Sequence, residues 1–593
     1  MKRCPECRRD YIDDSLSFCL EDGVALVQGS VAVEEPATAI LYEFGVPPLG
    51  GPSSDSPTRA QIHTTGAEAK PLECLVSSPE RQSLSAHRAA KPQETAEPKR
   101  NRVLSKPLLL IPIAMAVLGL AGFIGYGYFK SAGAINSIAI LPLENRGTAD
   151  SDYLSDGVAE SLIYKLSQLP NLKVSPRSSV FRYKGKEIDA EKIGAELGVD
   201  AVMSGRIIQR GENLSISVDL VDVRNNKSLW GEQYDRKISD LLVTQREIAS
   251  EIASKLRLRL SGDGERALEK RYTDNNDAYQ LYLKGRFHFA KRTRADVDRS
   301  VEYFKQAIEF DPNFALAYSA LADSYNAMTA YPYMAPREAV PLAKAAANRA
   351  LEIDPMLAEA HTALANTMGC FDWNWDGAER EFKRAIEINP NDAGTHWRYA
   401  MFDLMLVGRF DEAIAEGKRS LELEPLDLNH GANLSGIYFY ARQYERAISQ
   451  AKEVYGLDPN FIVGRWALSQ AYLQAGHYTE VIELNEHALE SEPTNQVYLR
   501  FAGIAYAKAG RRADAEKIVD RFKEISKTQY VMSYHLALIY SSLGDKDKAF
   551  AELENAIAAR DYLLPRLKFE PFLDPLRDDP RMGDMIRRLN LPE

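Results

Sequence analysis

At 593 residues the chain is too long for one hydrophobic core, so several modules are required. Hydrophobic residues make up 45% and charged residues 26%, which excludes a wholly disordered chain. The net charge of −11 argues against a duplex-binding surface, and five cysteines are too few for a disulfide framework.

The chain opens MKRCPECRRDYIDDSLSFCLEDG. Cys4 and Cys7 form a C-x2-C knuckle, and Cys19 is followed at i+3 by Asp22. Thiolates two residues apart reach one ion from a tight turn, which suits structural zinc. Residues 1–26 are too few for a core, so metal is the expected source of their folding free energy. The pattern resembles a minimal zinc ribbon, CPxC…FCxxDG, of the kind found at bacterial protein N-termini. It departs from a four-cysteine ribbon at Asp22, which is either the fourth ligand or a turn residue before Gly23. Lys2, Arg3, Arg8 and Arg9 are answered by Asp10, Asp13, Asp14, Glu21 and Asp22, so no nucleic-acid partner is expected. Residues 27–106 are rich in Pro, Ser, Ala and Thr without sustained apolar periodicity and read as a disordered linker.

From Pro107 to Phe129 runs PLLLIPIAMAVLGLAGFIGYGYF, 23 residues without a charge. As a helix this spans roughly 34 Å, enough for a bilayer core of about 30 Å, and predicts a single transmembrane helix. Lys99, Arg100, Arg102 and Lys106 precede it, and Lys130 follows. The positive-inside rule then places the N-terminus in the cytoplasm and the later domains outside it, at a bacterial cytoplasmic (inner) membrane. Ala121 and Gly125 form a small-xxx-small pair, a weak signal for a homodimer seam.

Residues 135–260 alternate their periods. SIAILPLEN (137–145) reads as a buried strand, and GVAESLIYKLSQL (157–169) as a helix with Asp156 as its N-cap. NLKVSPRSSV reads as strand, and DAEKIGAELG (189–198) as a helix closing on Gly198. DAVMSGRIIQ, LSISVDLVDV and SLWGEQYDRKI predict three strands, with Asn213 and Asn225–Asn226 at the turns. A helix at 240–260 follows. Arg177, Arg182, Lys184 and Lys186 are read as a solvated basic face. The strings IAILPLEN, YLSDGVAESLIYKLSQLP, VSPRSSVFRYKGK, IGAELGVDAVMSGRI and LVDVRNNKSLWGEQYDR resemble the TolB N-terminal-like (FlgO-like) domain. That resemblance implies an α/β fold and an accessory role in envelope assemblies, and no catalytic residue.

From 277 to 563 the chain keeps a period. Gly408, Arg442, Gly476, Gly510 and Gly544 lie 34 residues apart, and Ala413, Ala447, Val481, Ala515 and Ala549 follow at the same interval. A third marker, Pro390, Pro425, Pro459 and Pro493, runs at 35, 34 and 34. This period belongs to a stacked helix–turn–helix unit, and the pattern is tetratricopeptide-like (TPR), with about eight repeats and tyrosines 438, 472, 506 and 540 between neighbours. YPYMAPREA (331–339) is read as a lengthened turn. Phe371, Trp373 and Trp375 are read as inter-helix packing, and Cys370 as a small buried hydrophobe. Residues 564–593 are read as a terminal cap over the last apolar face. On the family pattern Arg398, Asn429, Tyr440, Trp466, Gln470, Gln474, Arg500 and Lys508 line a concave groove suited to a peptide backbone or an acidic tail.

The expected fold is therefore multidomain: zinc ribbon, single transmembrane helix, α/β domain and all-α TPR solenoid. No P-loop, HExxH, GxSxG, dinucleotide or kinase signature is present, so no catalytic residue is assigned. The leading expectation is a non-catalytic membrane scaffold binding a protein or peptide partner outside the cytoplasm. The alternatives are a signalling protein relaying that binding to the zinc ribbon, and an envelope enzyme with an unrecognised site.

Overall fold

The computed structural model describes residues 2–3, 10–11, 27–28, 135–169, 172–258 and 262–591. Cys4, Cys7, Cys19 and Asp22, the linker and the expected span at 107–129 lie outside the described residues. Near the N-terminus β1 (Lys2–Arg3) pairs antiparallel with β2 (Asp10–Tyr11) and β3 (Val27–Gln28). Among the described residues no helix is long and apolar enough to cross a membrane.

The α/β domain is built on a mixed sheet of order β6-β4-β7-β8-β9, with β5 (Glu144–Asn145) also pairing β7. β4 (Ser137–Ile140) lies parallel between β6 (Lys173–Val174) and β7 (Ala201–Arg210), and its Ile138, Ala139 and Ile140 are fully buried. A strand with neighbours on both sides and helices above reads as a continuous apolar run. β8 (Asn213–Asp222) and β9 (Lys227–Lys237) extend the sheet antiparallel; β8 buries every second residue, and β9, at the edge, buries only Trp230 and Tyr234. The helices are α1 (Asp152–Ser167), α2 (Arg177–Phe181), α3 (Ala190–Leu197), α4 (Leu241–Lys255) and α5 (Gly262–Glu269).

Three local expectations are corrected. α1 starts at Asp152, one turn early, so Asp156 is interior to the helix and pairs with Lys184 at 2.6 Å instead of capping it. Residues 177–180, expected as strand, lie in α2, because Pro176 ends β6's extended run and supplies a β-region N-cap. Asn213 is the first residue of β8, and the turn before it is made by Gly211 and Glu212. Gly198 does close α3, with φ of 63°.

Sixteen helical segments follow as eight hairpins, from Asn276–Phe289 with Arg294–Phe310 to Ser533–Leu543 with Lys546–Ala559. The 34-residue marker is a backbone requirement: Gly408, Arg442, Gly476, Gly510 and Gly544 have φ of 87°, 62°, 83°, 76° and 81°. This left-handed residue turns the first helix of each hairpin into the second. Ala413, Ala447, Val481, Ala515 and Ala549 are wholly buried where the paired helices touch. Arg292 and Trp373 take the same left-handed turn in earlier hairpins without a glycine to announce it. Two first helices end in a π-helical turn, Met368–Asp372 and Ala400–Leu404, which the periodicity did not signal.

The α/β domain and the first hairpins share one core. Leu154, Val158, Leu162, Ile248 and Ile252 join Ala278, Tyr279, Leu283, Phe314 and Ala317 in a single apolar cluster. Gly157 of α1 permits the close approach, because a Cβ there would meet Leu283 at 2.9 Å.

Candidate functional site

The eight residues expected to line the concave groove do not share one environment. Lys508 is exposed, and Asn429, Trp466 and Gln474 are half-buried. Tyr440, Gln470 and Arg500 are buried at 5%, 5% and 3% exposure, so they do not line an open groove. The Arg500 guanidinium stacks on Trp466 and Phe501 at 4.7 and 4.2 Å, and burial lowers its pKa. Arg398 pairs with Asp323 at 3.6 Å.

The chain's own C-terminal segment explains the burial. Residues 561–591 form two 3-10 turns, Leu564–Lys568 and Pro571–Leu576, and the helix Pro580–Arg588. The Tyr440 hydroxyl donates to the Glu570 carboxylate at 3.2 Å, and Arg442 grips Asp574 at 2.6 and 2.8 Å. Phe569 meets Phe410, Phe572 meets Phe439, and the Trp375 indole donates to the Leu589 carbonyl at 3.2 Å. Phe371 packs on Tyr562, so the aromatic trio is packing, though much of it is against this segment rather than only between helices. The segment therefore covers more than the last apolar face. It crosses first helices from the hairpin of Trp375 to that of Ser541, whose hydroxyl donates to the Phe572 carbonyl.

The open cavity lies at the other end of the array. A cleft of about 1130 Å³ separates the α/β domain from the repeats. α1 and α4 line one wall, and residues 316–427 of the repeats line the other. Its volume sits at the upper limit for small-molecule pockets, typically about 300–1,000 Å³. Three lining residues carry a buried polar atom without a partner: Gln245 Nε2, Asn276 Oδ1 and Glu359 Oε2. Gln245 is only 1% exposed, and its Oε1 already accepts from the Tyr279 hydroxyl at 2.7 Å and from Ser161 at 3.2 Å. An unpaired buried amide is costly to leave unmade.

The two walls differ in charge. The α/β wall contributes Lys165, Lys173, Arg177 and Arg246 against Glu160 alone. The facing wall contributes Asp323, Glu359, Asp392, Glu422, Glu424 and Asp427 against Arg286 and Arg419, and the segment between the walls adds Lys270, Arg271 and Asp274. Much of the first wall's charge is already engaged. Arg177 meets Glu160 at 3.4 Å, Arg286 also pairs with Glu160, and the Lys165 ammonium donates to the Lys270 carbonyl at 3.1 Å. Burial, with Arg246 nearby, pushes Lys165 down to about 8. On the acidic wall Asp392 and Asp427 are N-caps of successive first helices, accepting from the Thr395 and His430 amides at 2.8 and 2.9 Å. Burial and Asp392 push Glu359 up to about 7, and burial and Asp427 push Glu424 up to about 8. Ser178 of α2 donates to Glu424 at 2.9 Å.

Glu424, Asp427 and His430 each offer one atom within 4.8 Å of the others, a spacing compatible with a metal ion. Burial holds His430 below its usual range. None of the cleft residues carried a sequence signal for binding. Asp392 and Asp427, each two residues after a repeat proline, cap first helices in the structure.

Comparison with known proteins agrees on the array. Residues 531–561 match the tetratricopeptide repeat family, and residues 134–251 match the family described as HilA/YgeH-like transcriptional regulator, second domain. Putative adenylate cyclase 3 of Rhizobium meliloti (strain 1021) is 32% identical over 187 residues, 31% of this chain. The chain spans about a third (32%) of the length of that curated relative. Among solved structures, yeast Tom70 matches at 12% identity and a TM-score of 0.36, over 59% of this chain and 82% of its own. YrrB, described as a TPR protein with an unusual peptide-binding site, matches at 20% and 0.22, over 32% and 90%. The matched tetratricopeptide repeat, 531–561, is the last of eight stacked helical hairpins. The array follows an α/β domain with which it shares a core.

Proposed function

We propose that this protein is a non-catalytic scaffold that binds a protein or peptide partner, and that the interdomain cleft is the open part of its inner surface. One observation carries the reading. The C-terminal half of the inner face is covered by residues 561–591, whereas the cleft retains unpartnered buried polar atoms. Repeat arrays present such surfaces for recognition. In the same reading the α/β domain is TolB N-terminal-like, residues 107–129 anchor the chain in the membrane, and Cys4, Cys7 and Cys19, with Asp22, hold structural zinc. The uncharged 23-residue run and the basic residues before it support the anchor and its orientation. A photo-crosslinking residue placed at Val243 or Arg419 should capture a discrete partner in cells. Capture from neither position would end the reading. A periplasmic reporter fused after residue 593 should be active; a silent one would remove the orientation.

A second reading is regulatory. It draws on the match of 134–251 to a domain of transcriptional regulators and on the partial match to a putative cyclase. Here occupancy of the cleft changes what the N-terminal zinc site recruits. Deleting residues 1–26 should then abolish the phenotype while leaving partner capture intact.

A further inference from the structure

We propose that the cleft recognises a basic group, an alkylammonium or guanidinium backed by a carbonyl. The carboxylates of Glu359, Asp392, Glu424 and Asp427 receive the cation, and the Gln245 amide receives the carbonyl. The proposal rests on the scaffold reading and names the chemistry of its partner.

Charge segregation makes the first argument. On the repeat wall six carboxylates outnumber the two cations, Arg286 and Arg419, which already pair with Glu160 and Glu422. On the opposite wall Glu160 engages Arg177, and backbone carbonyls engage Lys165. An anion entering along the repeat wall meets more carboxylates than cations, and a cation there finds the excess of acceptors. The carboxylates also crowd one another, since Glu359 feels Asp392, and Glu424 feels both Asp427 and Asp392. A shared cation relieves that repulsion.

The Gln245 amide makes the second, independent argument. Its Nε2 is a buried donor with no acceptor, on the wall facing the acids. A peptide residue with a basic side chain supplies both missing partners, a carbonyl at one end and a cation at the other. The cleft volume of about 1130 Å³ admits several residues of such a peptide.

Binding is then linked to protons. Glu359 faces Asp392, Tyr164, Tyr272 and Arg286, and Glu424 faces Asp427, Asp392 and Ser178. Glu359 is held partly protonated near neutrality, so a cation bound there displaces a proton and affinity rises with pH.

The test uses the full-length chain and a fluorescent seven-residue peptide of Lys and Gly, with a Glu and Gly peptide as control. The basic peptide should bind at least tenfold tighter at pH 8.5 than at pH 6.0, and the acidic one should not bind. The pair of substitutions E359Q and E424Q should weaken binding tenfold or more, and Gln245→Ala severalfold. E490Q, at an exposed outer position, should change nothing. Competition by millimolar N-acetyl-lysine methylamide would assign the cation to a small amine, and its failure to compete would assign it to a peptide; both support the site. Equal binding of the two peptides, or pH-independent binding to the wild-type chain, overturns the proposal even if the carboxylate variants misfold. If crosslinking from Val243 still captures a partner, the scaffold reading survives that loss. If neither Val243 nor Arg419 captures a partner, the reading itself has failed.

Discussion

The Ser178 hydroxyl of the α/β domain donates to the Glu424 carboxylate of the repeats at 2.9 Å, across 246 residues of sequence. This contact stands apart from the shared core and lies in the cleft wall. Glu424 is pushed up to about 8 and Glu359 to about 7, and burial raises Asp403 and Asp561 to about 7. These acids bind protons more tightly folded than unfolded. Their contribution to stability is greatest near the unfolded carboxyl value and is lost as pH rises toward 8. The denaturant midpoint should therefore be higher at pH 5.5 than at pH 8. Glu424→Gln should flatten part of that slope. A midpoint that rises over this window would contradict the assignment.

Gly157 and Leu283 bring α1 against the first repeat helix. A Cβ at 157 would lie 2.9 Å from the leucine methyls, closer than packed carbons approach. Gly157→Val should destabilise the chain by about 1–3 kcal/mol through overpacking. Adding Leu283→Ala should return part of the loss, as a shift of the unfolding midpoint would show.

The C-terminal segment is held mainly by its apolar residues. Phe572→Ala removes a side chain that is 2% exposed and should cost about 3–5 kcal/mol. Arg442→Ala breaks the Asp574 pair, but both side chains are over 40% exposed, so about 1 kcal/mol or less is expected. Chemical denaturation of the two variants separates these outcomes.

Much of the array was legible because its constraints are local and repeat. A left-handed turn every 34 residues selects glycine at four of five positions, and a helix–helix contact selects a small residue five later. Where a non-glycine takes that turn, as at Trp373, the marker vanishes from the sequence although the geometry persists. The α/β strands were legible as apolar runs, but α2 was not, since a five-residue helix shows too little periodicity. The cleft was not legible at all. Gln245, Glu359 and Glu424 line one cleft only because α1 and α4 share a core with the first hairpins. The burial of Tyr440 and Arg500 likewise depends on residues 561–591 folding back over distant repeats, which no spacing rule encodes.

Cys370 is 1% exposed, and burial pushes its thiol up to about 12. It should stay unmodified by a thiol reagent in the native chain and react only on unfolding. Rapid native-state labelling at that position, read by mass spectrometry, would contradict the packing around it.

The central claim is that a partner occupies the cleft while the C-terminal segment stays in place. Hydrogen–deuterium exchange of the full-length chain with its captured partner tests this directly. Protection should appear at 239–246, 357–361, 391–396 and 424–431, with residues 561–591 unchanged. Protection confined to 464–474, or accelerated exchange at 561–591, would place the partner in the covered groove and contradict the account.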